Sequence, residues 1–449
     1  MNIDFSRAQR TLEQLVAIPG ISAKAFPAAE VRRSAEAVAE TLIEYGLHAV
    51  RLLETEGHPA VHPAVYGELR VSSDAPTVLV YGHHDVQPPG RMEQWLSPPF
   101  EATLRDGRIY GRGTADDKGG FLAYLAAART SPCNLKFLIE GEEEIGSPHL
   151  AALLNEHRAL FACDFIVLCD TPNFARGVPA LTYRLRGNCI VDVEVRCLER
   201  PVHSGQGGGL VPDAIMVLCA LLARLQRDDG TLAIPGLDER VHVDEPQLSA
   251  MRALPFDREQ VRRDFGLRDG VLLKEQSWHS VWARPSLTIT AIEAIPIAQA
   301  ANQIADAARA RLSLRTVRDV GTREAGEILA RALQTKVPHG AELITTIIGG
   351  PSWWDADPRH PIFAAARRAL SRGYGADAVM IGSGGSIGFV KPFADLAGDV
   401  PPLLTGVQDP RSNAHSENES LDLDDWRKAM TSAAYLFEEL AAYSKEVAA

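Results

Sequence analysis

The chain has 449 residues, 46% of them hydrophobic and 23% charged; this excludes a disordered chain, a collagen-like repeat and a disulfide-dense miniprotein. At ~150 residues per domain the length accommodates two or three domains. The formal charge is −12, and an acidic surface repels phosphate backbones and anionic lipid, so neither nucleic acid nor a membrane is the expected main partner.

No apolar stretch approaches the ~20 residues of a membrane helix, and the first residues, MNIDFSRAQR, lack the apolar core of a signal peptide. The six cysteines (Cys133, Cys163, Cys169, Cys189, Cys197 and Cys219) form no C-x-x-C pair and mostly sit in apolar runs. They are expected as buried free thiols of a cytoplasmic protein.

In chain order, helical periodicity covers residues 6–17 and 27–45, the second ending at Gly46 as a helix C-terminus favours. β-rich runs follow at 49–54, 64–69 and 77–82, and Asp106-Gly107 between alternating residues predicts a hairpin. A small-residue helix at 118–129 precedes strand 135–140, a helix near 148–158 and strand 164–169. Near-continuous apolar strands alternating with helices indicate an α/β sheet covered on both faces. After Tyr183 the texture changes: residues 189–198 alternate, followed by helix 213–227, strands 286–292 and 310–317, helix 322–335 and strand 343–348, with a charged insertion around 237–282. That pattern predicts a separate open-faced α+β sandwich. From Pro361 the α/β texture resumes, with helix 361–372, a glycine-rich turn at 382–388, strand 402–407 and helix 424–442, so the middle domain is inserted into the first.

Five segments place acidic or imidazole side chains just beyond apolar strands or on glycine-rich turns. TVLVYGHHDV delivers His83, His84 and Asp85 at a strand's end, where open α/β sheets gather their ligands. GRGTADDKGG holds Asp116 and Asp117 between glycines, a pattern that also suits a helix start. LKFLIEGEEEIGS puts Glu142, Glu143 and Glu144 directly after a buried strand, and like charges so crowded repel unless cations or protons relieve them. DFIVLCDTP ends a strand at Asp170, and NAHSENE carries His415. Taken singly each could be an ordinary turn. Together they make a nitrogen–oxygen donor set suited to Zn²⁺, Co²⁺ or Mn²⁺, with enough ligands for two ions. Two metals about 3.5–4 Å apart polarise a substrate oxygen and acidify a shared water.

These motifs resemble the M20 metallopeptidases, and most nearly their carnosinase-like dipeptidase branch, over essentially the whole chain. The resemblance implies an α/β catalytic domain of the zinc-peptidase type, residues 1–183 and 350–449, with an inserted α+β lid and dimerisation domain, residues 184–349. It implies that His83 and Asp170 bind one zinc, Glu144 and His415 the other, with Asp116 bridging. Asp85 then orients His83, Glu143 is the general base, and the Asp116–Asp117 peptide is cis. In RPVHSGQGGG it implies that His203 reaches the active site of a partner subunit in a homodimer and helps hold the oxyanion. Arg315 matches an arginine that pairs with the substrate's carboxylate, and Gly384, Gly385 and Ser386 match a turn that takes the same group.

One departure concerns the substrate. Members of this branch commonly have Glu before Gly-Gly-Ser, where it can meet a free amine; this chain has Ser383. The expected function is hydrolysis of the amide bond of a small dipeptide or similar carboxylate-bearing amide, through a dizinc-activated water with Glu143 as base. The alternatives are an N-acyl-amino-acid amidohydrolase of the same family and, from a different class, a catalytically idle ligand-binding or assembly protein. A two-metal phosphoesterase fits the middle-domain motifs less well.

Overall fold

The computed structural model describes residues 3–55, 62–237, 239, 241–272, 274 and 277–448. The chain divides into two compact units. Met1–Tyr183, Ala356–Ile381 and Gly388–Ala449 form the first; Arg184–Asp355 and Gly382–Ile387 form the second. Against the expected boundaries, the second unit also takes residues 350–355 and the short turn at 382–387.

The first unit opens with α1 (Phe5–Val16), capped by the Asp4 carboxylate on the Arg7 amide, and α2 (Ala28–Glu44), which ends at Gly46 with φ +95°. Strands β1 (His48–Leu53), β2 (Ala64–Leu69) and β3 (Thr77–His83) precede the hairpin β4 (Thr103–Arg105) and β5 (Arg108–Tyr110). Then come α3 (Lys118–Ala127), β6 (Asn134–Glu140), α4 (Leu150–Glu156), β7 (Phe165–Leu168) and β8 (Ala180–Leu185).

The second unit comprises β9 (Gly187–Arg196), β10 (Val202–His203), α5 (Ser204–Gly207) and α6 (Ala214–Ala223), followed by α7 (Glu245–Ala253), α8 (Arg258–Asp264) and α9 (Trp278–Trp282). It continues with β11 (Ser286–Glu293), β12 (Gln303–Ile304), β13 (Ala307–Thr316), α10 (Thr322–Gln334), β14 (Glu342–Gly349) and β15 (Trp354–Asp355). The chain closes with α11 (Pro361–Tyr374), β16 (Val379–Ser383), α12 (Val390–Ala397), β17 (Leu403–Leu404), β18 (Ser420–Asp422) and α13 (Leu423–Ala448).

In the first unit the sheet runs β1-β2-β6-β3-β7-β17-β8. Its four central strands are parallel, flanked by antiparallel neighbours on either side. Successive strand residues point to opposite faces, so the unbroken burial along β7 and most of β3 requires cover on both faces. α3 packs on β3, α12 on β7, and α13 lies against both α11 and α3. Trp426, fully buried near the start of α13, donates from its indole N–H to the Gly119 carbonyl at 2.8 Å and so anchors the first turn of α3.

The second unit's sheet runs β11-β13-β9-β14, all antiparallel. β9 alternates, burying Cys189, Val191, Val193 and Val195 against Leu218, Leu221 and Leu222 of α6 and Leu329 and Leu333 of α10. The other face carries ion pairs, Asp192 with Arg311 and Glu194 with Arg309. One packed and one charged face is what the alternation predicts.

Several elements are shorter than expected. Strand 402–407 reduces to Leu403–Leu404, because Pro401 and Pro402 have no N–H to offer a ladder and Gly406 passes directly against the Thr171 backbone. Helix 213–227 stops at Ala223, and the charged insertion folds into the short α7, α8 and α9. All six cysteines are free, but only Cys133, Cys169 and Cys189 are buried. Cys219 is exposed because α6 turns Val217, Leu218, Leu221 and Leu222 inward, leaving it on the opposite side; Cys163 and Cys197 lie just outside strand ends. No helix among the described residues is long and apolar enough to cross a membrane.

Replacing Trp426 by Phe keeps most of the ring and removes the donor to Gly119, and is expected to lower stability by about 1 kcal/mol. Trp426→Ala should cost about 3–5 kcal/mol through the cavity it leaves. Denaturant titration of the two variants measures both.

Candidate metal centre

The parallel strands bring their carboxyl ends together, and three of the five acidic or imidazole segments start there, while the Asp116 loop follows β5 and the His415 segment precedes β18. β3 ends in His83, β6 leads into the turn of Glu142–Glu144, and β7 leads to Asp170. Two donor groups result: His83, Glu143 and Asp170, and Asp116, Glu144 and His415. Within each group one ligand atom per residue lies within 4.8 Å of the others.

Asp116 joins the groups. Its Oδ1 lies 3.1 Å from His83 Nε2 and its Oδ2 lies 3.1 Å from His415 Nε2. His415 Nε2 is also 3.0 Å from Glu144 Oε2, and Asp170 Oδ2 is 3.7 Å from His83 Nε2. One carboxylate thus offers one oxygen to each group.

Asp85 supports both sides at once. Its carboxylate accepts the backbone N–H of Glu143 at 3.2 Å and of Glu144 at 3.0 Å, while Oδ1 sits 3.4 Å from His83 Nδ1. The same imidazole nitrogen is 3.0 Å from the Asp85 carbonyl, so Nε2 is the atom turned toward Asp116. Of the three consecutive glutamates, Glu142 turns elsewhere, accepting the His62 amide and pairing with His149. His84 is fully buried with Nε2 2.9 Å from the Pro63 carbonyl, outside both groups.

The Asp116–Asp117 peptide is cis. Burial and the neighbouring Asp116 charge push the Asp117 carboxyl up; its Oδ2 accepts the His83 amide, while Oδ1 has no partner. Gly120 is required here: a Cβ at that position would overlap the Asp117 carboxylate and press on the Cys169 carbonyl. Lys118, also buried, donates to the Leu15 and Ile18 carbonyls at the end of α1.

The residues that hold these donors in place were only partly foreseeable. Glu419, fully buried, accepts the amides of Ala115 and Asp116 on one oxygen and the Gly113 amide and the Arg112 guanidinium on the other. It stands four residues after His415, so one segment carries a candidate ligand and clamps the loop bearing the shared carboxylate. Gln87 donates to the Glu144 carboxylate, and Gln408 donates to Asp170 Oδ1, leaving Oδ2 toward His83. Glu419 lies inside the NAHSENE motif, a signal that could have been used; nothing in the sequence marks Gln408.

The electrostatics match the donor set. Burial pushes Glu143 and Asp170 up, with Glu144 and Asp116 respectively adding repulsion. Burial alone would depress the His83 imidazole, yet its bonds to Asp116 and Asp85 hold it well above the usual range; the bonds to Asp116 and Glu144 push His415 up to about 10. Four carboxylates and two imidazoles so packed form a hard-to-borderline N/O set. Two divalent cations would bring +4 against the carboxylates' −4. The residues fit such ions.

The remaining expected site residues lie in the second unit. His203 is exposed on β10, its Nδ1 accepting the Gly205 amide at 3.1 Å. Arg315 donates from Nη1 to Ser386 Oγ at 2.8 Å, and Gly384 and Gly385 complete that turn.

A mixed sheet gathering paired histidine–carboxylate groups at its carboxyl ends, with an antiparallel-sheet insert, is the architecture of an α/β metallopeptidase. The chain belongs to peptidase family M20/M25/M40, whose profile matches residues 79–439. It is 33% identical over 403 residues to the cysteinylglycine-S-conjugate dipeptidase of Corynebacterium striatum, covering 87% of this chain and 86% of that protein. It is 30% identical over 457 residues to the Beta-Ala-His dipeptidase of Homo sapiens, covering 96% and 90%. Among solved structures, the dipeptidase Dug1p of Saccharomyces cerevisiae superposes with a TM-score of 0.82 at 25% identity, over 97% of this chain and 96% of that one.

Glu419→Ala removes the carboxylate that neutralises the buried Arg112 and the acceptor of three loop amides at once, and is expected to cost about 3–5 kcal/mol in chemical denaturation.

Proposed function

We propose that this chain is a metal-dependent dipeptidase that hydrolyses the amide bond of small dipeptides with a free carboxylate. The observation that carries the reading is the meeting of two donor groups on the opposite oxygens of Asp116. His83 and Asp170 would hold one divalent cation and Glu144 and His415 the other, with Asp116 shared; zinc suits the donors, with cobalt or manganese as alternatives. Bound there, such cations polarise a carbonyl and lower the pKa of a shared water.

The chain's own groups do the rest. Glu143 accepts the proton that the attacking water gives up and returns it to the departing amine nitrogen. Asp85 keeps the Glu143–Glu144 turn and His83 in register through the bonds described above. Because His203 Nδ1 accepts the Gly205 amide, the neutral ring carries its proton on Nε2 and presents a donor there. In this reading the working unit is a homodimer, and His203 of one copy stabilises the oxyanion in the site of the other. Arg315, with Nη1 on Ser386, keeps its remaining N–H groups for the substrate's carboxylate, and the turn of Gly384, Gly385 and Ser386 borders it.

The relatives' names, a cysteinylglycine-S-conjugate dipeptidase and a Beta-Ala-His dipeptidase, support dipeptides as the substrate class. One observation favours N-acyl amino acids as a second reading. Ser383 stands where the branch commonly has Glu, and its hydroxyl accepts the Gly385 amide, so this position offers no charge to a substrate ammonium. A turnover screen with Zn²⁺, Co²⁺ or Mn²⁺, pairing dipeptides with their N-acylated counterparts, separates the two. Faster turnover of the free dipeptides supports the main reading; turnover of the acylated members alone replaces it.

Glu143→Gln is expected to lower kcat by at least ~10²-fold with metal content unchanged. His203→Ala should lower kcat by ~10²–10³-fold, again with metals retained. Mixing the two inactive variants should restore activity if subunits exchange, because one site of each heterodimer then has an intact Glu143 and the partner's intact His203. Exchange without recovery removes the shared-site reading.

A further inference from the structure

Arg186 is a buried guanidinium in the second unit, 8% exposed. Arginines so deeply buried are normally neutralised by a carboxylate. Its near neighbour Arg184 follows that rule, gripping both oxygens of Asp355. Arg186 does not, and neither does Arg315: among the described residues no carboxylate lies within ion-pairing distance of either.

The two cations share one end of the sheet. Arg186 donates from Nη1 to Ser286 Oγ at 2.9 Å, and Ser286 is the residue directly opposite Arg315 in the β11–β13 ladder. Its other bonds go to backbone: Nε to the Gly384 carbonyl at 3.0 Å and Nη1 to the Arg284 carbonyl at 3.1 Å. Burial holds both guanidinium pKa values down, with Arg315 the second cause at Arg186, which falls to about 10.

The turn beside them is built around Arg186. A Cβ on Gly384 would stand 2.8 Å from Val281 Cγ1 on α9 and 3.0 Å from Arg186 Nη2, so only glycine lets the turn come this close. With the Gly384 carbonyl held by Arg186 and the Gly385 amide held by Ser383, the next residue, Ser386, has its hydroxyl on Arg315. Arg186 Nη2 makes no hydrogen bond among the described residues, so two cations and spare N–H groups face one turn with no anion among those residues.

We infer that Arg186 is a positioning residue of the seat formed by Arg315 and the 383–386 turn, locking the turn through the Gly384 carbonyl and supplying the second positive charge that makes the seat demand an anionic substrate terminus. This rests on the proposed role of Arg315 and goes beyond it. Substrates ending in a free carboxylate are favoured because of Arg186 as well as Arg315, and the preference is set at the level of binding.

The test compares KM and kcat for the dipeptide turned over fastest in the screen above and for its C-terminal amide, in metal-replete protein. Arg186→Met is expected to raise KM for the free acid about 10- to 100-fold, the factor that a lost charge-assisted contact carries, while kcat changes less than about threefold. KM for the amide should stay near wild type, so the acid-over-amide preference falls. Arg186→Lys restores the charge and should recover part of that preference. A purely structural role would lower the active fraction and kcat for acid and amide alike. Arg186→Gln is the second neutral variant should the Met variant fail to fold. A neutral variant that is folded and metal-replete yet keeps the wild-type acid-over-amide preference overturns the inference. Arg315→Met separates the levels: if it alone abolishes the preference, the seat stands and Arg186 is refuted; if it too has no effect, the seat falls and this inference falls with it.

Discussion

Everything at the candidate metal centre depends on one carboxylate being held where both of its oxygens can be used. Asp116 faces His83 with one oxygen and His415 with the other, although those residues are far apart in the chain. A carboxylate in a flexible loop could not keep both contacts. Glu419 therefore takes three amides of the loop, Gly120 lets α3 start against the end of β7, and Trp426 pins the first turn of α3 from α13. The long-range packing of the first unit and its chemistry are the same set of contacts.

A second constraint is electrostatic. Four carboxylates packed into a buried volume repel one another, and the fold offsets this with aimed amides and imidazoles rather than with lysines or arginines. Asp85 is the clearest case, accepting two successive backbone amides and standing beside His83. The arginines of the first unit lie one layer out, as Arg112 does on Glu419. Cations supplied from solution are then the natural counter-charge, and membership of peptidase family M20/M25/M40 accords with that requirement. The second unit shows the reverse: Arg186 and Arg315 bond only to hydroxyls and backbone carbonyls, with no carboxylate on either among the described residues.

The fold class was legible because burial dictates pattern. Runs such as TVLVYG and DFIVLC read as strands buried on both faces, and CIVDVEVRCL as one buried on a single face; both proved so. Candidate donor residues were legible where a motif breaks an apolar run with charge, as Glu143 and Glu144 do after β6. The supporting residues were not. Gln408 acts on Asp170 from 238 positions away, and Arg186 looks like any arginine flanking a strand until it is seen, buried, with no carboxylate beside it among the described residues. Element ends also escaped: Pro401 and Pro402 shorten β17 by withholding donors, and α6 stops four residues before the expected end.

Anomalous diffraction at the zinc edge, from crystals of protein stripped with chelator and reloaded, tests the central claim most directly. The account predicts two peaks per chain, about 3.5–4 Å apart, one beside His83 and Asp170 and the other beside Glu144 and His415, with an Asp116 oxygen on each. A single peak, or two peaks that do not share Asp116, would contradict it.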